Sequence, residues 1–328
     1  MTLLLSMKDV QSLLTMPEAI RVVEDAFRQH AEGATVLPQR TVVSPPEHNG
    51  VQLGMPAYIG GGIDALGLKV VTIYPDNPAK YGVATTIGVL LLNDATTGAP
   101  LALMDAGYLT AVRTGAVGGV AAKYLARKDA TSVGLFGSGV QARAQLRALC
   151  AVRKVAAVMV YDPARERAAD CAREMSEELG IHVESVADPR TAVQGMDIIV
   201  TASSSQVPVF DGHWLEPGQH INGIGSHSPD RRELDTVTIA QSKVVPDSTP
   251  ACMVEAGDLI IPLKEGAIGP DHPYADLGDL VCGRKPGREN DVEVTLFKSV
   301  GLAIQDMSVG SLVYQRARER GVGLEFRF

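Results

Sequence analysis

The sequence predicts an α/β protein with a doubly wound parallel sheet and a second domain of the α+β type. Between about residues 119 and 301, short apolar strands alternate with helical segments, a pattern that indicates right-handed βαβ units and a parallel sheet. Residues 36–92 instead contain β-rich pieces separated by Gly and Pro, which indicates a different, antiparallel sheet. Residues 301–321 carry an amphipathic helical pattern that we expect to return to the first domain.

The first domain is predicted over residues 1–118 and 302–328, and it begins with a helix. Thr15 and Pro17 are typical of a helix start, and Gly33 ends the helical spacing of the first 30 residues. The strands and the helix predicted after it are Arg40–Val43, Val51–Met55, Leu66–Tyr74, Thr86–Leu92, Pro100–Asp105 and helix Thr110–Ala126.

The second domain is predicted over residues 119–301, with strands and helices in alternation. Its predicted elements are strand Thr131–Phe136, helix Gln141–Ala151, strand Val155–Tyr161, helix Pro163–Leu179, and strands His182–Val186, Asp197–Ala202, His220–Ile224 and Lys243–Val245.

Composition excludes several classes of protein. The 328 residues include 30 Lys and Arg against 38 Asp and Glu, a net charge of −8, which argues against nucleic-acid binding because phosphate contacts need clustered cations. With 45% hydrophobic residues the chain can bury a sizeable core. The longest apolar runs, such as Ile87–Leu92, are far below the roughly 18 residues of a membrane span, so no membrane association is expected.

The N-terminus and the cysteines predict a cytoplasmic protein. No basic leader precedes the short apolar run at residues 3–5, so a cleaved signal peptide is not expected. Cys150, Cys171, Cys252 and Cys282 are irregularly spaced, and neither they nor the histidines show metal-ligand spacing. We therefore expect reduced thiols and no metal site.

A glycine-rich turn gives the strongest local signal. An apolar strand leads into Gly137, Gly139 and Ala142, the G-x-G-x-x-A pattern, and a helix follows. Gly137 permits the tight turn, Gly139 lets backbone approach a pyrophosphate, and Ala142 lets helix and strand pack closely. The pattern therefore predicts a Rossmann dinucleotide-binding domain.

Asp162 ends the next predicted strand, where a ribose-binding carboxylate belongs. It favours NAD, because a carboxylate would repel the 2′-phosphate of NADP. Arg165 and Arg167 follow closely and leave NADP open if their side chains turn inward. Asp162 is also well placed as a helix cap before Pro163, and the two roles are compatible.

Three basic residues stand among apolar or small neighbours in the first domain: Arg40, Lys69 and Arg113. Charged side chains are seldom buried without partners, so a Lys within a β-rich apolar run indicates a lined pocket. Arg can bind a carboxylate through two parallel hydrogen bonds, and a Lys in a partly dry site can exchange protons. Each residue taken alone is also compatible with a snorkelling or ion-paired structural role.

A series of motifs runs in order through nearly the whole chain. The motifs are Lys69 with residues 74–77, residues 82–85, residues 97–102, Arg113 to Ala116 with residues 121–127, Gly137 to Ala142, residues 220–225, residues 232–235 and residues 297–306. In these motifs the sequence resembles the ornithine cyclodeaminase and mu-crystallin family.

The resemblance implies a homodimer that binds NAD(P)H in one domain and a small amino or imino acid against the other. It implies that Arg40, Lys69 and Arg113 bind the substrate carboxylate, with Gly301 also at the substrate and Lys69 able to handle a proton. The cofactor-binding residues implied are Thr85, Arg113, Gly137, Gly139, Val140, Gln141, Asp162, Ser203, Ile224, Gly225, Ser226, His227 and Val300.

His227 departs from the cyclodeaminase pattern, in which the corresponding position usually holds an Asp acid/base. The run from Gly225 to Asp235 is similar to that of mu-crystallin and of pyrroline carboxylate reductases. His can act as a general acid near neutral pH, so Lys69 and His227 are both candidate proton donors. His227 is also compatible with a loop residue that only contacts cofactor or solvent, and Asp230 is a weaker candidate for a displaced carboxylate.

The resemblance therefore favours an NAD(P)-dependent oxidoreductase that acts on the CH–NH bond of small amino or imino acids. The reaction is reduction of a cyclic imino acid, such as pyrroline-2-carboxylate or piperideine-2-carboxylate, or an alanine dehydrogenase-like reaction. One alternative is an ornithine cyclodeaminase, a lyase without net redox change. Another is a mu-crystallin-like protein that binds NADP and a small ligand without turnover.

Overall fold

The computed structural model describes residues 1–327 and places them in two compact units. The first comprises Met1–Arg113 and the chain from Leu302 onward, and the second comprises Thr114–Gly301. The first boundary between the units follows Arg113, whereas the sequence predicted it after residue 118. Both positions lie inside one helix, Gly107–Leu125. Because the helix continues through both positions, no turn or loop in the sequence marks the boundary between the units.

The first unit is a mixed sheet with helices. Its strands are β1 Thr2–Leu5, β2 Thr35–Val36, β3 Thr41–Val43, β4 Val51–Ile59, β5 Ala65–Ile73, β6 Thr86–Asn93, β7 Pro100–Asp105 and, at its end, β15 Leu324–Phe326. Its helices are α1 Met7–Leu13, α2 Met16–Ala31, α3 Asn77–Tyr81, the first part of α4 Gly107–Leu125, and α11 Ala303–Arg320.

The sheet of the first unit follows the order β15-β1-β7-β6-β5-β4-β2, with β3 also paired to β4. Pairing is antiparallel from β4 to β7, as predicted, whereas β1 runs parallel to β7. Helix α11 packs against β4, β5 and β6. One face of the central strands is therefore covered by a helix that comes from the far end of the chain.

The prediction of one helix over the first 30 residues is wrong. Residues 2–5 form β1, and α1 and α2 are separate helices. Ser6 begins α1 with a capping box to Asp9, a start signal that the longer apolar period obscures. Thr15 does sit at the N-cap of α2, but its hydroxyl bonds the Glu18 side chain rather than a backbone N–H.

The second unit is the predicted doubly wound domain. Its strands are β8 Ser132–Phe136, β9 Ala157–Tyr161, β10 His182–Ser185, β11 Ile198–Thr201, β12 His220–Gly223, β13 Lys243–Pro246 and β14 Thr295–Lys298. Its helices are the rest of α4, α5 Val140–Val152, α6 Arg165–Leu179, α7 Thr236–Gln241, α8 Thr249–Glu255, α9 Gly257–Lys264 and α10 Leu277–Val281, with short 3-10 turns at Pro189–Ala192 and Gly212–Trp214.

All seven strands of this unit pair in parallel, in the order β10-β9-β8-β11-β12-β14-β13. The predicted fold class is thus confirmed. Successive side chains of β8 enter opposite cores, Leu135 on one face and Phe136 on the other. The chain order turns between β8 and β11, and ligands of such sheets bind at the carboxyl ends of the strands beside that point.

Strand β14 was not predicted, although it lies between β12 and β13. Its four residues are all buried and show no alternation, so the sequence does not distinguish them from a loop that crosses the core. Across residues 1–327, no helix is long and apolar enough to cross a membrane.

Candidate active site

Lys69 lies in the middle of β5 and is fully buried, with 0% of its surface exposed. Side chains alternate along a strand, so Lys69 faces opposite to its neighbours Leu68 and Val70, which are only half-buried. Its Nζ atom lies 2.8 Å from the carboxylate of Asp306, in the first turn of α11. The covered face of the sheet therefore carries a buried cation rather than only apolar side chains.

Arg113 shares the same carboxylate. Its Nε atom lies 3.1 Å from Asp306 Oδ1, and its Nη1 donates a 2.6 Å hydrogen bond to Gln305 Oε1. Asp306 is 0% exposed, so one buried carboxylate joins two cations that come from β5 and α4. Lys69, Arg113 and Asp306 are called the cationic cluster below.

The cationic cluster carries an excess of positive charge. Burial, with the nearby Arg113 guanidinium, lowers the pKa of Lys69 to about 7, against the opposing pull of Asp306. Arg40, which is half-buried in the loop before β3, adds to this effect. Three cations against one carboxylate make the site attractive to an anion, and a Lys of this pKa exchanges protons readily at neutral pH.

Two buried polar atoms, Thr110 Oγ1 and Gln305 Nε2, have no hydrogen-bond partner among the described residues, whereas Arg113 Nε and Asp306 Oδ2 make the ion pairs given above. Buried polar atoms normally have partners, and a group of orphans in one place indicates a site that a polar ligand completes. A carboxylate would accept from Arg113 and Gln305 and would balance the charge.

One more predicted site residue, Thr85, lies in the first unit. Thr85 is half-buried just before β6, and its carbonyl accepts a 2.8 Å hydrogen bond from the Tyr74 N–H. Its implied role at the cofactor stays a prediction.

In the second unit, Gly137 and Gly139 form the turn between β8 and α5. Gly137 has φ +95°, and a Cβ there would lie 2.5 Å from the Ala202 carbonyl oxygen, so no other residue fits. A Cβ on Gly139 would meet nothing within 4 Å, so its backbone faces open space. No side chain caps α5, and Gln141 Oε1 is a buried atom without a hydrogen-bond partner among the described residues.

These features fit a dinucleotide. Glycine backbone facing open space at an uncapped helix N-terminus suits a pyrophosphate, which such N–H groups and the helix dipole stabilise. Val140, the first residue of α5, is 67% exposed on this side of the turn. No cluster of metal-binding side chains occurs among residues 1–327.

Asp162 follows β9 and is half-buried beside the glycine turn. Its Oδ2 accepts a 2.6 Å hydrogen bond from Ser138 Oγ, and its Oδ1 accepts from the Ala164 N–H at 2.9 Å. The capping interpretation therefore holds in part, as a turn before α6 whose N-cap is Ala164. A carboxylate has about four acceptor sites, so two remain for ribose hydroxyls.

Ser203 and the run Ile224 to His227 follow β11 and β12, next to the point where the strand order turns. Glu233, fully buried, accepts hydrogen bonds from Ser203 and from the Gly225 N–H, so the two loops share one carboxylate. His227 is exposed, with Nδ1 3.2 Å from the Gly225 carbonyl oxygen.

Asp230, the weaker candidate, is exposed in a turn and accepts a hydrogen bond from Ser228. That bond keeps the pKa of Asp230 below its ordinary value. The next helix, α7, begins after Asp235.

Val300 and Gly301 are held by a carboxylate that the sequence did not single out. Asp247 Oδ2 accepts from the N–H groups of both, at 3.0 and 2.8 Å, and from Ser299 Oγ at 2.7 Å. Gly301 has φ +78°, which favours glycine at this position. The segment between β14 and α11 is therefore fixed by one buried side chain.

Comparison with known proteins places this geometry in a family. Residues 1–321 match the sequence model described as the ornithine cyclodeaminase/mu-crystallin family. The chain belongs to this family. A Delta(1)-pyrroline-2-carboxylate reductase of Bacillus cereus is 39% identical over 327 residues, 99% of this chain and 100% of the relative.

Solved structures agree. The Delta(1)-pyrroline-2-carboxylate reductase of Thermococcus litoralis, in complex with NADH and L-proline, is 46% identical with a TM-score of 0.97, covering 99% of this chain and 100% of that one. An archaeal alanine dehydrogenase dimer with bound NAD is 38% identical with a TM-score of 0.94, covering 100% and 99%. The predicted family is confirmed.

Sequence reasoning missed the carboxylates that organise both units: Asp306, Asp247, Glu233 and Asp258. Asp306 and Glu233 lie in stretches that carried the resemblance, but no role was assigned to them. The available signal was an acidic residue among apolar neighbours, as at Asp258 between Gly257 and Leu259.

Proposed function

We propose that this protein reduces a cyclic imino acid, of the pyrroline-2-carboxylate or piperideine-2-carboxylate type, to the corresponding cyclic amino acid. The comparisons confirm the class, an oxidoreductase that uses a nicotinamide dinucleotide. The observation that supports this substrate class is the cationic cluster, which offers a buried, positively charged site to a small carboxylate. NADH, favoured by Asp162, would supply the hydride.

We assign separate roles in substrate binding and proton transfer to the residues of the cationic cluster and to Arg40. Arg113, oriented by Gln305, and Arg40 would bind the substrate carboxylate, with the backbone of Gly301 also implied at the substrate. Lys69 would complete the carboxylate site and give or take the proton of the substrate nitrogen, because its pKa of about 7 suits transfer near neutral pH. Holding the substrate in one orientation supplies much of the rate gain.

Lys69 is a better candidate than His227 for the proton. Lys69 is buried and paired with Asp306, whereas His227 is exposed. His227, with Ile224, Gly225, Ser226, Ser203 and Val300, is then left with the role of contacting the cofactor.

The remaining cofactor assignments are part of the same proposal. Gly137, Gly139, Val140 and Gln141 would surround the pyrophosphate, and Asp162 would accept from the ribose hydroxyls. Thr85 and Arg113 would also contact the cofactor, as the resemblance implies.

We also propose a homodimer through the uncovered face of the first unit's sheet. Strands β5 and β6 carry apolar side chains on both faces, and Val89 and Ile87 are 45% and 44% exposed on the face away from α11. Val70 pairs with Val89 across the strands and lies on the same face. A second copy of the chain would cover this apolar surface, and Val89→Glu would then give a monomer in light scattering.

The cytoplasm is the proposed location. None of the four cysteines forms a disulfide among the described residues, which is usual in a reducing compartment.

A substrate panel tests the reaction. Purified protein with NADH, and separately with NADPH, is given pyrroline-2-carboxylate, piperideine-2-carboxylate, and pyruvate with ammonia; with NAD⁺ it is given ornithine. We expect oxidation of NADH with the cyclic imino acids. Conversion of ornithine to proline without NADH accumulation would show a cyclodeaminase instead, and saturable binding without any turnover would show a binding protein.

A further inference from the structure

A second group of buried charges lies in the second unit, apart from every residue proposed above to touch substrate. Glu233, Asp258 and Lys298 are each 0% exposed. Lys298 Nζ lies 2.6 Å from Asp258 Oδ2, and Asp258 Oδ1 accepts from the N–H groups of Glu233 and Leu234 at 2.8 and 2.9 Å. We call Glu233, Asp258 and Lys298 the loop triad.

The loop triad forms hydrogen bonds to the loops that follow β11 and β12. Glu233 Oε1 accepts from the N–H of Ser203 at 2.7 Å and from its hydroxyl at 2.6 Å, and Oε2 accepts from the Gly225 N–H at 2.7 Å. Lys298 Nζ donates to the Ser226 carbonyl at 2.7 Å. One connected network therefore fixes three loop residues through both backbone and side chain.

These contacts restrict the conformations that the two loops can adopt. A Cβ on Gly225 would lie 2.5 Å from Glu233 Oε2 and 2.4 Å from the Ser203 carbonyl, so the two loops meet at a glycine. Burying three ionisable side chains is costly, and such groups are often no more stabilising than apolar ones of the same shape. Packing alone does not explain why this place holds charges whose hydrogen bonds all end on two loops.

The position of the loops in the sheet shows which part of the dinucleotide they face. Gly137 and Asp162 follow β8 and β9, on one side of the point where the strand order turns, and they suit the adenosine half. Ser203, Gly225 and Ser226 follow β11 and β12, on the other side. In such folds the second half of the dinucleotide crosses to that side.

We propose that Glu233, Asp258 and Lys298 are positioning residues that hold the Ser203 and Gly225–Ser226 loops for the nicotinamide half of the cofactor. The loop triad itself touches neither substrate nor cofactor. This inference rests on the proposed placement of the dinucleotide across the second unit, and it is independent of which imino acid is reduced.

Two ligands separate this role from a general effect on folding. ADP-ribose contains the adenosine, both phosphates and the second ribose of NADH but lacks the nicotinamide. Glu233→Gln replaces an acceptor with an amide, whose NH₂ group would face one of the three donors. The loops would then have to be ordered by binding, so the Kd for NADH rises about tenfold while that for ADP-ribose stays within about twofold.

Lys298→Met gives the same selective loss by a different route, since it removes the bond to the Ser226 carbonyl. Glu178→Gln is the matched control, because Glu178 pairs with Arg147 on the surface of the same unit. It should leave both dissociation constants unchanged. Titration calorimetry measures binding, and circular dichroism with the Tm shows that each variant is folded.

Equal weakening of NADH and ADP-ribose binding in folded Glu233→Gln or Lys298→Met, or no weakening of either, would overturn the proposal. If both variants fail to fold, Asp258→Asn decides, because Asp258 bonds Lys298 and the N–H groups of Glu233 and Leu234 and not the loop residues proposed to contact the cofactor. An NADH Kd raised about threefold with unchanged ADP-ribose binding supports the role, and an unchanged NADH Kd refutes it. Wild-type protein that binds NADH but reduces no imino acid would refute the substrate alone.

Discussion

The cationic cluster and the loop triad each bury a lysine against an aspartate, yet the two lysines differ in pKa. Lys69 and Lys298 are both fully buried, 2.8 and 2.6 Å from Asp306 and Asp258. The pKa of Lys69 is lowered to about 7, whereas that of Lys298 is raised above its ordinary value.

The difference comes from the other charges nearby. Burial lowers both pKa values, but Lys69 has Arg113 and Arg40 beside it, whereas Lys298 has the carboxylates of Asp258 and Glu233. Burial and, to a smaller extent, the Asp258 carboxylate raise the pKa of Glu233, against the lowering effect of its hydrogen bond from Ser203. One site has cations in excess and needs an anion from outside, while the other has its hydrogen bonds filled by its own loops.

Lys69→Met is expected to have the largest effect. It removes a cation from the carboxylate site and the proposed proton donor, so kcat/KM for the imino acid falls about 10³-fold or more. The Kd for NADH should stay within about twofold, in contrast to Lys298→Met. Steady-state kinetics and calorimetry on Lys69→Met and Lys298→Met test this contrast. A comparable loss of NADH affinity in the two variants would contradict it.

Asp306→Asn is expected to lower stability. It leaves Lys69 and Arg113 buried without their carboxylate, which costs about 3 to 5 kcal/mol of unfolding free energy. Asp25→Asn is the control, because Asp25 pairs with Arg28 on an exposed helix surface and should change stability by about 0.5 kcal/mol or less. Urea unfolding measures both, and an Asp306→Asn variant as stable as wild type would show that the carboxylate is not needed.

The pH dependence of anion binding should follow Lys69. Below pH 7 the amine is protonated and affinity is constant; above it, the charged form becomes scarce and affinity falls by up to about tenfold per pH unit. Pyrrole-2-carboxylate is a suitable probe because its carboxylate stays ionised throughout. An affinity that is constant from pH 6 to 9, or that increases with pH, would contradict this account.

His227→Ala should have the smallest effect. His227 is exposed, and if Lys69 handles the proton, kcat/KM falls by about tenfold or less. Measured at saturating NADH, a loss as large as that of Lys69→Met would instead assign the proton to His227.

Sequence reasoning reached Lys69 and Arg113 because each stands among apolar neighbours, but it did not reach Asp306. Asp306 lies 237 residues from Lys69 along the chain, and helical periodicity does not reveal which residue of a first turn meets a distant strand. The glycine turn and the strand and helix alternation of the second unit were predictable, because local backbone chemistry dictates them.

The loop triad could not be predicted from the sequence, for a related reason. Lys298 ends the unpredicted strand β14, and Asp258 begins a helix in the middle of an apolar run, so neither position belongs to a local pattern. Their association depends on the strand order β12-β14-β13, which only the folded sheet supplies.

The central claim is that the excess charge at Lys69 and Arg113 binds the carboxylate of a cyclic amino or imino acid. Calorimetry of the NADH-saturated protein with L-proline and with L-prolinamide tests it directly, since the amide keeps the ring and nitrogen but loses the anion. We expect L-prolinamide to bind at least about 100-fold more weakly than L-proline. Equal affinity for the two ligands would contradict the account.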